Sequence, residues 1–145
     1  MVGGQLSSMV RRLVSAYTFP LAWRWTAPNH SILPADVMAS ITPVEPGLRD
    51  QSDQRSFGAP DIIATDSKSP EQVRQWLTDW SIAPDTVVTV QWTDHLAIET
   101  SWSVFSEYWE SFCYPSSDDV DVMPVARDWL LQYHHWEAFE FRRAA

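Results

Sequence analysis

The sequence contains little cysteine, little glycine and no long apolar run. Cys113 is the only cysteine among 145 residues, which excludes a disulfide within the chain and favours a reducing compartment, the cytoplasm. The four glycines form neither a phosphate-binding loop nor a G-x-S-x-G nucleophile elbow. No stretch reaches the roughly 20 apolar residues of a membrane span. A disulfide-stabilised secreted domain, a nucleotide-binding loop and a membrane-spanning helix are therefore not expected.

Basic residues are scarce in the second part of the chain. Residues 61–145 carry fifteen acidic and five basic residues, whereas residues 1–60 carry four acidic residues and five arginines. Nucleic acids and anionic membranes require lysine and arginine to neutralise phosphate, so neither is an expected partner. The formal net charge of −9 instead permits a basic protein partner, whose approach the electrostatic field would steer. Solubility is the simpler explanation of the same charge.

Aromatic and aliphatic residues are plentiful and indicate a folded domain. The chain is 45% hydrophobic and includes nine tryptophans. A chain of this length buries about two-thirds of its unfolded surface without disulfides. We expect a single domain over residues 1–145, in which residues 1–68 combine a helix with a proline-rich irregular region and residues 69–145 form a helix, a hairpin, a second helix and antiparallel strands. The predicted class is α+β, with a C-terminal antiparallel sheet of four to five strands packed against two or three amphipathic helices.

Three segments have the apolar spacing of amphipathic helices. The first is residues 5–17. The second is "SPEQVRQWLTDW", where Ser69 can cap the helix, Pro70 occupies the first helical position and Gln72 completes a capping box. The third is "SVFSEYWESF", residues 103–112, whose aromatic residues share one face.

Runs of β-branched and aromatic residues predict the strands. "TVVTVQW" and "HLAIETSW" form a hairpin, and "DVDVMP" and "DWLLQYHHWEAFEFRR", residues 119–124 and 128–143, are strands joined by "VARD" in an antiparallel meander. Upstream, we expect a short helical turn at "PADVMAS" and an extended segment at "SITPV". Residues 47–69 are polar and should run over the surface, with Ile62 and Ile63 reaching inward.

Histidine, cysteine and aspartate supply metal-ligand types, but their spacing fits no metal motif. His134 and His135 are adjacent, so on a strand they point to opposite faces. No C-x-x-C or H-E-x-x-H spacing is present. Asp118, Asp119 and Asp121 have the oxygen ligands that suit calcium or magnesium, but the glycine and the closing glutamate of a calcium loop are missing. Neither a metal nor a cofactor is predicted.

The residue types of a catalytic triad occur, but no catalytic residue is assigned. Ser116, Ser117, an aspartate and either His134 or His135 would suffice, yet a sequence does not reveal their geometry. Cys113 follows an apolar helical face, which favours a buried thiol over a nucleophile. Serine and aspartate side chains also bond to nearby backbone N–H groups, so a turn that enters a strand explains "PSSDD".

Two segments, "TSWSVFSEYWESFCYPSSDDVDV" and "WLLQYHHWEAFEF", carry a resemblance to known proteins. They resemble the C-terminal half of a family of small bacterial proteins with a domain of unknown function, some of which are similar to immunity proteins of polymorphic toxin systems. The resemblance covers residues 86–143. It implies a bacterial cytosolic protein that acts by binding, because an immunity protein neutralises a toxin by occluding its active site. Acidic loops with aromatic anchors suit toxins that are basic nucleases.

The sequence thus predicts a small acidic protein-binding module. The aspartates form the acidic contact with a basic partner, and the other predicted residues lie nearby across the sheet, including a tryptophan of the kind enriched at interfaces. The predicted contact residues are Asp118, Asp119, Asp121, His134, Trp136 and Glu137. Two alternatives stay open: a metal-dependent or Ser/Asp/His hydrolase that combines the first two aspartates with the two histidines, and a structural or regulatory subunit without catalysis.

Overall fold

Alternating β-branched and aromatic residues form the strands of the fold, and capped amphipathic segments form its helices. The computed structural model describes residues 34–45, 57–93, 96–115 and 117–144. The helix expected over residues 5–17 lies outside this part of the chain. The described elements, in chain order, are α1 (Ala35–Met38), β1 (Thr42–Val44), β2 (Asp61–Ala64), α2 (Pro70–Thr78), β3 (Val87–Thr93), β4 (Leu96–Ser101), α3 (Trp102–Glu107), α4 (Trp109–Phe112), β5 (Val120–Pro124), β6 (Trp129–His134) and β7 (Ala138–Arg143).

The strands form one antiparallel sheet in the order β1-β4-β3-β5-β6-β7-β2. Three pairs of neighbouring strands are consecutive in the chain: β3 with β4, β5 with β6, and β6 with β7. Between β4 and β5 the chain passes through α3 and α4, and β5 then pairs with the edge of β3 that β4 leaves free. The α+β class is confirmed, but within the described ranges the sheet has seven strands rather than the expected four to five. The additional strands are its two edges, β1 and β2, which have three and four residues.

The two edge strands come from the region that the sequence predicts least well. The extended segment "SITPV" is confirmed as β1. In β2, Ile63 packs against the core as expected, but the same prediction for Ile62 is wrong, since Ile62 is 55% exposed. Successive residues of a strand point to opposite faces, so two adjacent isoleucines cannot both reach the core.

Helix α2 begins as the sequence predicts. The Gln72 N–H donates to Ser69 Oγ at 3.1 Å, and the Ser69 N–H donates in return to Gln72 Oε1 at 2.9 Å. This capping box satisfies two free donors of the helix start, and Pro70 has no N–H to satisfy. Val73 and Leu77 are fully buried, so the apolar face of α2 joins the core.

The third expected helix is divided into α3 and α4. They meet at Tyr108, whose φ of −111° and ψ of 28° depart from helical values. The expected apolar face is kept across the break, because Phe105, Trp109 and Phe112 are all buried. No helix within the described ranges is long and apolar enough to cross a membrane.

Aromatic rings fill the space between the helices and the sheet. Phe139 on β7 is fully buried, and its ring centroid lies 5.0–6.5 Å from those of four other rings. These rings belong to Trp76, Phe105, Trp109 and Tyr133. Such ring pairs contribute about 0.5–1.5 kcal/mol each beyond the burial of their area. Phe139 therefore joins α2, α3, α4 and β6 at one point.

The central part of the opposite face of the sheet is buried as well. Its central row, read across the strands, is Ala97, Gln91, Asp121, Gln132 and Glu140. Gln91 and Asp121 are only 1% and 6% exposed, and Gln132 Nε2 donates to Asp121 Oδ1 at 3.2 Å. A small second apolar cluster on this face consists of Met123, Leu130 and Phe57. The middle of the sheet is therefore buried on both faces, and Gln91 and Asp121 place polar groups on the second of them.

Candidate functional site

The turn between β6 and β7 brings four of the predicted contact residues together with His135. Strand pairing ends at His134, so residues 135–137 form a three-residue loop. The Glu137 N–H donates to the His134 carbonyl at 2.8 Å, and Glu137 has a φ of 67°, in the left-handed region. Three-residue hairpin loops commonly end in a residue of this conformation. The Glu137 carbonyl accepts the Thr65 N–H at 2.8 Å, which ties the turn to the chain just after β2.

This turn corrects one sequence prediction and defines the site. An uninterrupted strand over residues 128–143 is wrong, because the chain reverses direction at residues 135–137. The reversal places side chains that a continuous strand would separate on one exposed end of the hairpin. We name this end the apex surface, and it consists of Asp119, His134, His135, Trp136 and Glu137.

Trp136 is the exposed aromatic residue of the apex surface. It is 57% exposed, whereas the other described tryptophans are buried or half-buried. Its ring stacks on the His134 imidazole, with centroids 4.9 Å apart and planes inclined by 7°. His134 Nε2 lies 2.9 Å from Glu140 Oε2, and Arg142 Nη2 lies 3.7 Å from the same oxygen. The indole thus packs on an imidazole that is itself in contact with a carboxylate.

Asp119 and His135 form a second carboxylate–imidazole pair at the apex. Asp119 Oδ1 accepts the His135 backbone N–H at 3.0 Å and lies 3.1 Å from His135 Nδ1. Partial burial is the largest single influence on the pKa of Asp119 and raises it. The hydrogen bonds from His135, together with the charges of His135 and His134, outweigh burial and hold the pKa below its ordinary value. Asp119 is therefore ionised at neutral pH, with its side chain 51% exposed.

The other two predicted aspartates are buried. Asp118 is 6% exposed, its Oδ2 accepts the Tyr114 N–H at 2.8 Å, and its own N–H donates to the Tyr114 carbonyl at 3.1 Å. This is the turn chemistry that "PSSDD" predicts. Asp121 points away from the helices, as expected, but it lies on the covered second face, where Gln132 donates to it. Of the three aspartates, Asp119 is the one that belongs to the apex surface.

The apex surface contains acid–base groups, and the described residues place no nucleophile beside them; Ser116, one of the serines considered for a triad, lies outside the described residues. Asp119 could orient His135 as a general base, which is the feature that the hydrolase alternative requires. Among the described residues, no hydroxyl or thiol lies within hydrogen-bonding distance of the His134 or His135 ring. A search of the same residues finds no group of three or more His, Cys, Asp and Glu side chains that could hold a metal ion.

A cavity of about 290 Å³ lies beside the apex surface. It is open to solvent and is lined by the residues that lead into α2, by α4 and the loop after it, and by the end of β6 with the following turn. The charged and aromatic side chains of its lining are Lys68, Trp109, Glu110, Tyr114, Tyr133 and Glu137. Glu137 belongs to both the cavity and the apex surface, so the two are continuous.

Tyr133 contributes a neutral phenol to the cavity. Burial is the main cause that raises its pKa to about 12. The charges that Cys113, Glu137 and Asp118 carry in the alkaline range where the phenol titrates raise it further, and a hydrogen bond with Thr65 lowers it. Cys113 is 1% exposed, which confirms the expectation of a buried thiol. The carboxylates of Glu137 and Asp118 thus place negative charge near the phenol.

Three features of the site are not visible in the sequence: Glu140, the pairing of His135 with Asp119, and the cavity. Glu140 faces His134 diagonally across the hairpin, a relation that is visible only once the turn at residues 135–137 is placed. The cavity joins residues 65–70, 109–115 and 133–137, and no local pattern connects such distant segments.

Comparisons with known proteins find nothing similar: no protein-family model matches the chain, and neither a curated protein nor a solved structure matches it. The resemblance drawn from the two C-terminal segments is therefore not supported by these comparisons. The geometry of the apex surface and its cavity is what the function can be argued from.

Proposed function

We propose that the protein is a small protein-binding module of the immunity-protein kind, whose apex surface contacts a basic partner protein in the cytoplasm. The observation that carries the proposal is Trp136, an indole that is 57% exposed and yet is fixed by its stack on His134. Interfaces use large aromatic rings as energetic anchors. Because the stack orients the ring before binding, association loses little side-chain entropy.

The charges beside Trp136 select the kind of partner. Asp119 is ionised and half-exposed. The Glu137 carboxylate has neither a hydrogen bond nor an ion pair with any described residue, so it is available to a cation. The net charge of −9 adds a long-range attraction for basic proteins. Complementary charge of this kind raises the association rate and selects among partners more than it raises affinity.

Replacing Trp136 with alanine tests the proposal. A tryptophan buries about 150–250 Å², and the exposed 57% of it, at about 25 cal/mol per Å², corresponds to about 2–3.5 kcal/mol of binding free energy. We therefore expect Trp136→Ala to raise the Kd by about 30- to 300-fold. The partner is sought by capture from the native host and among the products of adjacent genes. The Kd is then measured with the purified pair by calorimetry.

Val125→Ala is the matched control for this measurement. Val125 is 77% exposed in the turn between β5 and β6, at the end of β6 opposite the apex. Its substitution should leave the Kd unchanged, whereas Asp119→Asn combined with Glu137→Gln should lower the association rate and its dependence on salt. If Trp136→Ala binds the partner as tightly as the wild type does, the apex surface is not the contact.

A further inference from the structure

The cavity beside the apex surface combines aromatic walls with acidic groups. Trp109, Tyr114 and Tyr133 contribute rings, and Glu110 and Glu137 contribute carboxylates. Lys68 is the single basic residue among the described residues that line it. Glu110 Oε1 lies 3.7 Å from Arg74 Nη2, so its charge is partly compensated, whereas Glu137 has no such partner in the described part of the chain.

We infer that this cavity accepts an arginine side chain of the basic partner, an inference that rests on the proposed function. At about 290 Å³ the cavity lies at the lower end of the range of about 300–1,000 Å³ that small-molecule sites occupy, which suits one side chain better than a whole ligand. Glu137 lines the cavity and directly follows Trp136 in the turn, so the cavity and the indole lie at the same end of the hairpin.

The chemistry of the lining favours a guanidinium over other groups. A planar guanidinium can stack on an aromatic ring and donate two hydrogen bonds to one carboxylate, whereas an ammonium acts as a point charge. Cations are attracted to the faces of tryptophan and tyrosine. Glu137 is among the groups that raise the pKa of Tyr133, so its carboxylate lies near the phenol that lines the cavity. An anionic ligand would instead meet two carboxylates and one lysine.

The test uses the full chain and small probes, without the partner. N-acetyl-arginine methylamide is titrated into isotope-labelled protein and compared with the lysine and norleucine analogues. The Trp109 indole N–H, which donates to the Pro70 carbonyl at 3.3 Å, reports on the cavity by NMR, and the indoles of Trp102 and Trp129 serve as references. We expect the arginine probe to bind with a Kd of about 1 mM, as a fragment of this size does, and to bind more tightly than the other two.

Variants test which charges hold the probe. Glu137→Gln should weaken arginine binding by about tenfold, since it neutralises one side of a charge-assisted hydrogen bond. Lys68→Gln should tighten binding by about threefold, because it removes the opposing charge at a partly exposed site. Glu110→Gln should weaken binding, whereas Glu107→Gln is its matched control. Glu107 also lies near Arg74, at 3.8 Å, but does not line the cavity.

The possible results separate the two proposals. Three results would overturn the arginine assignment. The norleucine probe could bind as tightly as the arginine probe, or the lysine probe could bind more tightly. The third is that the Trp109 signals stay unchanged when the arginine probe is present at several times the expected Kd. None of these results depends on the partner. The effect of Trp136→Ala on partner binding therefore tests the proposed function independently of the cavity. Conversely, the arginine probe could bind selectively and bind more tightly to Lys68→Gln. This result supports the assignment of the cavity to arginine, whatever effect Trp136→Ala has on partner binding.

Discussion

The strained turn at the apex makes a quantitative prediction for Glu137→Gly. Glu137 has a φ of 67°, and a side chain in this left-handed region costs about 1–2 kcal/mol because Cβ approaches a backbone carbonyl. Glycine avoids this cost, but it loses about 0.5–1 kcal/mol more backbone entropy on folding than alanine does. The expected net gain in the free energy of unfolding is about 0.5–1 kcal/mol. For a chain of this size the gain corresponds to a rise in Tm of about 1–4 °C.

Glu137→Ala is the variant against which the gain must be measured. Alanine removes the carboxylate but keeps Cβ, so the difference between the two variants isolates the backbone. Both are unfolded in urea, followed by circular dichroism rather than by fluorescence, because Trp136 is the adjacent residue. If the glycine variant is no more stable than the alanine variant, the turn is not strained and the reasoning is refuted. An equal gain in both would assign the effect to the carboxylate near Tyr133 and Asp118.

Two further predictions concern the core and the cavity. Phe139→Ala should lower the free energy of unfolding by about 3–5 kcal/mol in urea titration, since it removes the ring that four others contact; a loss below about 1 kcal/mol would contradict this role. Tyr133→Phe should change stability at high pH. The pKa of Tyr133 in the folded protein, about 12, exceeds the ordinary value of 10.0. The neutral phenol therefore contributes its full stability to the wild type below pH 10, and this stability is lost as the pH rises towards 12. A pKa difference of about two units corresponds to at most about 2.7 kcal/mol of stability, and we expect a smaller loss because the phenol borders a cavity. In thermal melts at increasing pH, the Tyr133→Phe variant should not show this loss of stability.

The parts of the fold that the sequence predicts are those with local signals. The capping box of Ser69 and Gln72 lies within four residues, and the alternation in β3 and β4 lies within single strands. The edge strands lack such signals, because β1 and β2 have three and four residues and pair with β4 and β7, far along the chain. Their existence is decided by the sheet that they complete, so the strand number was underestimated for a physical reason.

The candidate site was predicted in part, and its errors have two causes. The turn at residues 135–137 contains no glycine, proline or asparagine, and the aromatic alternation continues through it, so the sequence resembles a strand. Glu137 adopts the left-handed conformation that glycine usually supplies. Asp121 illustrates the second cause: alternation shows that it faces away from the helices but does not show whether that second face is covered.

The origin of the two edge strands bears on how the protein avoids self-association. Both edges come from residues before 65, whereas the five inner strands come from residues 87–143. Strand β1 is short and contains Pro43, which has no N–H to offer a further strand. A fragment limited to residues 69–145 would keep α2 and the five inner strands but would present β4 and β7 with free hydrogen-bonding groups. We expect such a fragment to associate through these two edges, which in the longer chain are paired with β1 and β2.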